Sequence, residues 1–159
     1  MTEKPRQEKD GTETVKKYHE LIKKGNMLLG VRKFDEALEY LNEAVKINPK
    51  DPGALSDKGV ALGGLGMLEE SLECFNEAIK INPEYSDAWY NRGSTLHLLG
   101  RFDEALKSYD EAIRINPKDA DAWFYKGITL DRLDRIEEAN KCFDEAVKID
   151  PVRFPHPYE

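Results

Sequence analysis

The stretch Ser86–Asp119 decides the fold of this chain; it reads SDAWYNRGSTLHLLGRFDEALKSYDEAIRINPKD. Its apolar residues recur every three or four positions, which predicts two short amphipathic helices. Gly100 lies between them and predicts a tight turn, because glycine readily adopts the left-handed conformation found just after helices. Pro117 predicts the end of the second helix, because a residue that precedes proline is pushed out of the α region.

The same pattern occurs four times without a gap, in residues 18–51, 52–85, 86–119 and 120–153. Self-similarity at a fixed period is the signature of a repeat architecture. The eighth position of each repeat is glycine, the twentieth and twenty-seventh are small, and the thirty-second is proline. These positions are Gly25, Gly59, Gly93 and Gly127; Ala37, Ser71, Ala105 and Ala139; Ala44, Ala78, Ala112 and Ala146; Pro49, Pro83, Pro117 and Pro151.

The repeated residues have physical reasons to be where they are. A glycine within a helix costs about 1 kcal/mol relative to alanine, so its recurrence predicts a close approach between the two helices of a repeat. Each second helix opens with acidic residues, such as Asp103 and Glu104, and closes with a base such as Arg114. This order matches the helix dipole and predicts a solvated outer face.

Composition bounds the remaining possibilities. The chain has 159 residues, a net charge of −7 and a pI near 5.1, which disfavours nucleic acid as a partner, because phosphate binding requires a basic surface. No apolar run reaches the roughly 18 residues of a membrane helix, and the N-terminus has no signal-peptide core. Cys74 and Cys142 lie two repeats apart, so they predict two separate thiols in a reducing cytoplasm.

With tryptophan or leucine at the fourth position of each repeat (Leu21, Leu55, Trp89 and Trp123), the pattern resembles the tetratricopeptide repeat. The resemblance covers residues 18–153. It implies an all-α fold, a right-handed superhelix (solenoid) of four helix-turn-helix repeats. We expect a disordered tail over residues 1–11, a repeat domain over residues 12–153 and a C-terminal tail over residues 154–159. Glu20 and Asn140, polar where the other repeats are apolar, are interpreted as caps of a four-repeat array.

The sequence offers no constellation for catalysis, a metal or a cofactor. His19, His97 and His156 have no metal-like spacing to one another or to cysteine. The glycine-rich run at residues 63–66 ends a predicted helix and is interpreted as a turn, not as a phosphate loop. We therefore expect a protein that is not an enzyme.

The resemblance implies that the first helix of each repeat lines a concave groove that binds the partner. The candidate groove residues are Asn26, Asp87, Tyr90, Ser94, His97, Asp121, Phe124 and Asp131. Tyr90 and Phe124 are expected either to grip apolar side chains or to be partly buried between helices. The three aspartates favour basic residues. Chaperone adaptors of this family hold a C-terminal carboxylate with a clamp of lysines, asparagines and an arginine, and Asn26 matches one clamp asparagine. Ile22 and Asp87 stand where the clamp has lysine, and Asp57 stands where it has asparagine. We therefore do not expect an acidic C-terminal ligand.

The leading hypothesis is a cytoplasmic protein-interaction scaffold whose groove binds a peptide or helical segment with apolar and basic residues. The alternative is homo-oligomerisation or structural assembly, with a second copy bound by the groove or by the C-terminal face. Phe154 and Tyr158 either fold back over the last helix or contact that copy. RNA binding is a weaker rival, because the expected groove is acidic.

Overall fold

The protein is all-helical in a computed structural model, which describes residues 6–154 and, for side chains, residues 11–154. Four first helices alternate with four second helices. The second helices, and the first helices from α3 onward, each recur every 34 residues. The helices are α1 (Arg6–Gly30), α2 (Phe34–Ile47), α3 (Pro52–Gly64), α4 (Leu68–Ile81), α5 (Ser86–Leu98), α6 (Phe102–Ile115), α7 (Ala120–Arg132) and α8 (Ile136–Ile149). The predicted helix pairs are thus confirmed.

The turn within each repeat has the predicted left-handed residue. Gly66 and Gly100 have φ values of 78° and 74°. The first and last repeats use Arg32 (φ 59°) and Asp134 (φ 60°) at the same position, where a side chain is disfavoured. The turn geometry is therefore common to all four repeats, although only two of them have the residue that suits it best.

The chain divides into two compact units, residues up to Cys74 and residues from Phe75 onward. In the first unit, α2 packs against both α1 and α3. The close approach that the repeated glycine predicts is found here: a Cβ on Gly25 would lie 2.8 Å from the Leu41 side chain. Asp51 caps α3 by accepting the backbone N–H groups of Gly53 and Ala54, and it also accepts a hydrogen bond from the Tyr18 hydroxyl.

The second unit repeats this construction. A Cβ on Gly93 would lie 2.8 Å from the Tyr109 ring, and a Cβ on Gly127 would lie 2.6 Å from the Phe143 ring. Both rings are buried. Trp123 donates from its indole nitrogen to the carbonyl oxygen of Pro117, which closes the preceding repeat, at 3.1 Å. The tryptophan at position four therefore ties the start of one repeat to the end of the previous one.

A cation at the seventh position of a repeat also bridges to the repeat before it. In the second unit, Arg92 Nε donates to Asn76 Oδ1 at 2.8 Å, and Lys126 Nζ lies 2.6 Å from Asp110 Oδ1. Asn76 and Asp110 occupy the same position, the twenty-fifth, of consecutive repeats. Arg92 and Lys126 therefore have a structural role at the junctions between repeats.

The structure corrects the predicted N-terminal boundary. The first helix begins at Arg6, so residues 6–11, predicted as part of a disordered tail, are helical. Arg, Gln, Glu and Lys are good helix formers, so a polar composition does not exclude a helix. Residues 1–5 of the predicted tail lie outside the described residues.

The start of the predicted C-terminal tail is also structured. Phe154 is only 6% exposed and packs with Ala120 and Ala146. Of the two alternatives for this residue, packing back onto the last repeat is the one observed. Tyr158 lies outside the described residues.

Both cysteines are buried free thiols, and burial raises the pKa of each above its usual value. In the part of the chain that the structure describes, none of the helices combines the length and the apolar character needed to cross a membrane.

Candidate partner-binding site

Seven of the eight predicted site residues lie on α5 and α7 of the second unit. Asp87, Tyr90, Ser94 and His97 follow one another along α5 at spacings of three and four residues, which places them on one face of the helix. Asp121, Phe124 and Asp131 have the corresponding spacing on α7. The eighth residue, Asn26, is exposed on α1 and belongs to the first unit.

Three of the predicted residues meet at one cavity. Asp87, Tyr90 and Asp121 line an open cavity of about 590 Å³ at the N-terminal ends of α5 and α7. Four carboxylates and two cations border it, namely Asp87, Asp119, Asp121, Asp150, Lys118 and Arg153. The cavity wall is therefore acidic on balance, with an aromatic ring beside the charges.

Tyr90 is half-buried. Its ring lies 6.1 Å from the ring of Tyr109 and 6.0 Å from that of Tyr125, measured between centroids. Burial raises the pKa of Tyr90 above its usual range, and the nearby Asp121 carboxylate acts in the same direction. The phenol is therefore uncharged throughout the physiological range, and it presents a ring and a neutral hydroxyl to the cavity.

Phe124 is more deeply engaged with the core than a groove residue would be. Its ring lies 5.4 Å from the Phe143 ring and 4.8 Å from the Phe154 ring. It packs against two clusters of buried residues. For Phe124 the structure thus favours the second of the two sequence interpretations, packing between helices.

His97 is held by the neighbouring first helix. Its Nδ1 lies 2.8 Å from Thr129 Oγ1, and its ring meets the edge of Phe102. Burial lowers the pKa of His97 below 6.5, and the positive charge of Arg132 lowers it further. The imidazole is therefore mainly neutral at physiological pH.

The other predicted residues do not join the cavity. Ser94 is half-buried, and its hydroxyl is close enough to that of Tyr109 to act on the pKa of the phenol. Asp131 is exposed near the C-terminal end of α7. Leu98, at the end of α5, is 66% exposed and gives this end of the face an apolar side chain.

Sequence reasoning missed two contributors to the site. Tyr125 is 37% exposed and its ring contacts both Tyr90 and Phe124; the repeat pattern does not place its position in the groove. Arg153 donates from Nη1 to Asp121 Oδ2 at 2.8 Å. It lies beyond the last predicted helix, so the helical pattern gave no signal for its contact.

A second cavity of about 640 Å³ lies between α6, α7 and α8. Most of its charges are paired with each other: Lys126 with Asp110, and Arg135 with Glu138 through two hydrogen bonds of 2.7 and 2.8 Å. Cys142, at its edge, is buried. Among the described residues, no group of three or more His, Cys, Asp or Glu side chains is arranged to hold a metal ion.

Family models of tetratricopeptide repeats match residues 21–51, 64–100, 86–119 and 108–139. The chain belongs to the tetratricopeptide repeat family. The comparison with curated proteins gives no match. Membership in this family, with its solenoid of helix pairs, makes the protein an interaction scaffold in the broad sense.

Solved structures of other tetratricopeptide repeat proteins are similar to the chain. One is MamA (residue 41 to the end) of Desulfovibrio magneticus RS-1, with 27% identity, a TM-score of 0.74 and coverage of 85% of this chain and 76% of that chain. A second MamA structure has 24% identity and a TM-score of 0.76, with coverage of 86% and 80%. TTC0263, a thermophilic TPR protein of Thermus thermophilus, has 22% identity and a TM-score of 0.78, with coverage of 84% and 75%. The last two likenesses concern the fold alone.

Proposed function

We propose that the α5–α7 face binds a segment of a partner protein that carries basic and apolar residues. The observation that carries this proposal is the acidic cavity beside Tyr90, where Asp87 and Asp121 meet. A lysine or arginine side chain fits such a wall, because its charge opposes that of the carboxylates and its stem packs against an aromatic ring.

The apolar part of the segment is assigned to Leu98. Eleven residues separate Asp87 from Leu98 on α5, which corresponds to about 16 Å along the helix axis. An extended segment spans that distance with about five residues. The proposed ligand therefore has a basic residue and an apolar residue roughly five positions apart if it binds extended, or roughly eleven apart if it binds as a helix.

The test starts from a phage-displayed library of random 12-residue peptides selected on the full chain. A synthetic copy of a selected peptide is then measured by fluorescence polarisation. We expect Leu98→Ser to weaken its binding by about tenfold or more, since the loss of one well-placed apolar contact is worth about 1.4 kcal/mol. We expect Asp87→Asn to weaken it more at low salt than at high salt.

The chain supplies a matched control. Val31 is 63% exposed, close to the 66% of Leu98, but it lies in the first unit. Val31→Ser should leave the affinity unchanged. Equal losses for Val31→Ser and Leu98→Ser, or selected peptides without basic residues, would contradict the proposed site.

Self-association through the C-terminal face stays a prediction. Phe154 packs inward, whereas Ile136 on α8 is 40% exposed. Sedimentation equilibrium at two protein concentrations tests it: a mass that rises with concentration, and no longer rises in Ile136→Lys, would support a dimer at this face. A cytoplasmic location and a role without catalysis are part of the same proposal, and they are supported by the two free thiols and by the scaffold family.

A further inference from the structure

The chain's own C-terminal turn lies on two of the predicted partner-binding residues. Phe154 places its ring 4.8 Å from Phe124, and Arg153 donates to the carboxylate of Asp121 at 2.8 Å. The turn itself is short: the backbone N–H groups of Arg153 and Phe154 bond to Asp150. A basic residue followed by an aromatic residue therefore lies along one edge of the α5–α7 face: Arg153 pairs with Asp121, and the Phe154 ring packs beside Phe124 between α7 and α8.

The fit is chemical as well as steric. The Arg153 guanidinium also stacks on the Phe154 ring, 4.9 Å from its centroid. Asp121, the carboxylate that pairs with Arg153, borders the cavity that Asp87 and Tyr90 line. Because four carboxylates face that cavity against two cations, its charge balance leaves room for a further positive charge.

Few side-chain contacts hold the C-terminal turn against the repeats. Phe154 is the only described residue after α8 that is buried, and Val152 is 94% exposed. The Arg153 side chain is 61% exposed, and ion pairs at such exposure contribute little. One phenyl ring and one exposed ion pair thus hold the segment, so a ligand of the same chemistry is able to compete with it.

We propose that Arg153 and Phe154 form an internal ligand, and that a partner enters this face with a basic residue followed by an aromatic residue, displacing them. This proposal rests on the proposed function and specifies its partner. It makes the C-terminal turn a competitor that lowers the apparent affinity for the partner by the fraction of molecules in which it is closed.

The test uses the full chain and a labelled synthetic peptide with the sequence of residues 150–159, DPVRFPHPYE. We expect Phe154→Ala to bind this peptide at least tenfold more tightly than the control variant Val152→Ala, whose side chain is exposed in the same turn. A peptide with Arg153→Glu should bind Phe154→Ala at least tenfold more weakly. Both variants are first checked by circular dichroism for an unchanged helix content.

A second measurement needs no core substitution. In the wild-type chain, the Phe154 amide donates to the Asp150 carbonyl. Excess peptide should speed hydrogen exchange of this amide several-fold and leave the amide of Ala112, in the middle of α6, unchanged. A folded Phe154→Ala that binds no more tightly than Val152→Ala, or Phe154 exchange that does not respond to saturating peptide, overturns the proposal. Either result leaves binding that depends on Leu98 intact, so it can be told from a failure of the proposed function.

Discussion

The sharpest test of the packing is the substitution Gly93→Ala. The new Cβ would lie 2.8, 2.9 and 3.1 Å from three carbon atoms of the Tyr109 ring. Carbon atoms attract each other best at about 3.5–4.0 Å, so the ring would have to move by more than half an ångström. Tyr109 is fully buried and has the Tyr90 ring 6.1 Å away, which leaves it little room to move.

Two effects of opposite sign determine how much Gly93→Ala changes the free energy of unfolding. Alanine stabilises a helix by about 1 kcal/mol relative to glycine, and overpacking of a tight core costs about 1–3 kcal/mol. Gly11→Ala isolates the first effect, because Gly11 lies within α1 and has open space around it. We therefore expect Gly93→Ala to be less stable than Gly11→Ala by about 1–3 kcal/mol.

The assay is urea unfolding followed by circular dichroism, with thermal unfolding as a second measure. A difference of 2 kcal/mol corresponds to about 4–8 °C in Tm for a chain of this size. The double variant Gly93→Ala, Tyr109→Leu should not relieve the clash, since Leu41 occupies the position of Tyr109 in the first repeat and lies 2.8 Å from a Cβ on Gly25. If Gly93→Ala proves as stable as Gly11→Ala, the reason given for the repeated glycine is wrong.

Three further predictions concern single contacts. The pKa of His97 is lower in the folded state than in the unfolded state, so its contribution to stability is present above a pH of about 6.5 and is lost as the pH falls through the folded pKa. Calorimetry should show that acidification lowers the Tm of His97→Asn less than that of the wild-type chain, and equal losses would contradict this. Asp51→Ala should destabilise the chain by about 2–3 kcal/mol and Asp119→Ala by only about 1 kcal/mol in urea, because both cap a helix but only the first also accepts a tyrosine hydroxyl; equal values would refute the added role. Gly100→Ala should cost about 1–2 kcal/mol at its φ of 74°, whereas Arg32→Gly, at the same position of the first repeat, should show no comparable loss in the same assay.

The fold could be predicted almost completely because the same sequence pattern recurs in four repeats. Gly93 alone is a weak signal, but a glycine at the eighth position of every repeat identifies the first helix and predicts its close approach to the second. The beginning of α1 escaped prediction because residues 6–11, RQEKDG, contain no apolar stripe that would mark them as helical. A polar stretch of good helix formers gives the same composition whether it is ordered or not.

The candidate site was less predictable, for a different reason. A repeat pattern says which face a residue occupies but not which neighbour covers it. Phe124 was placed on the correct helix, yet Phe154 covers it from a part of the chain that has no repeat to be compared with. Tyr125 was missed because large aromatic side chains can reach a neighbouring face that smaller residues at the same position would not reach.

The cations at the seventh position of the repeats have a consequence for the design of arrays from identical copies of one repeat. Arg92 meets an asparagine of the preceding repeat, and Lys126 meets Asp110. An engineered array made only of copies of residues 86–119 would instead set an arginine against an aspartate at every junction. Because arginine can bind a carboxylate with two parallel hydrogen bonds and lysine cannot, each junction of that array would be more specific in its register than the two junctions that Arg92 and Lys126 form here.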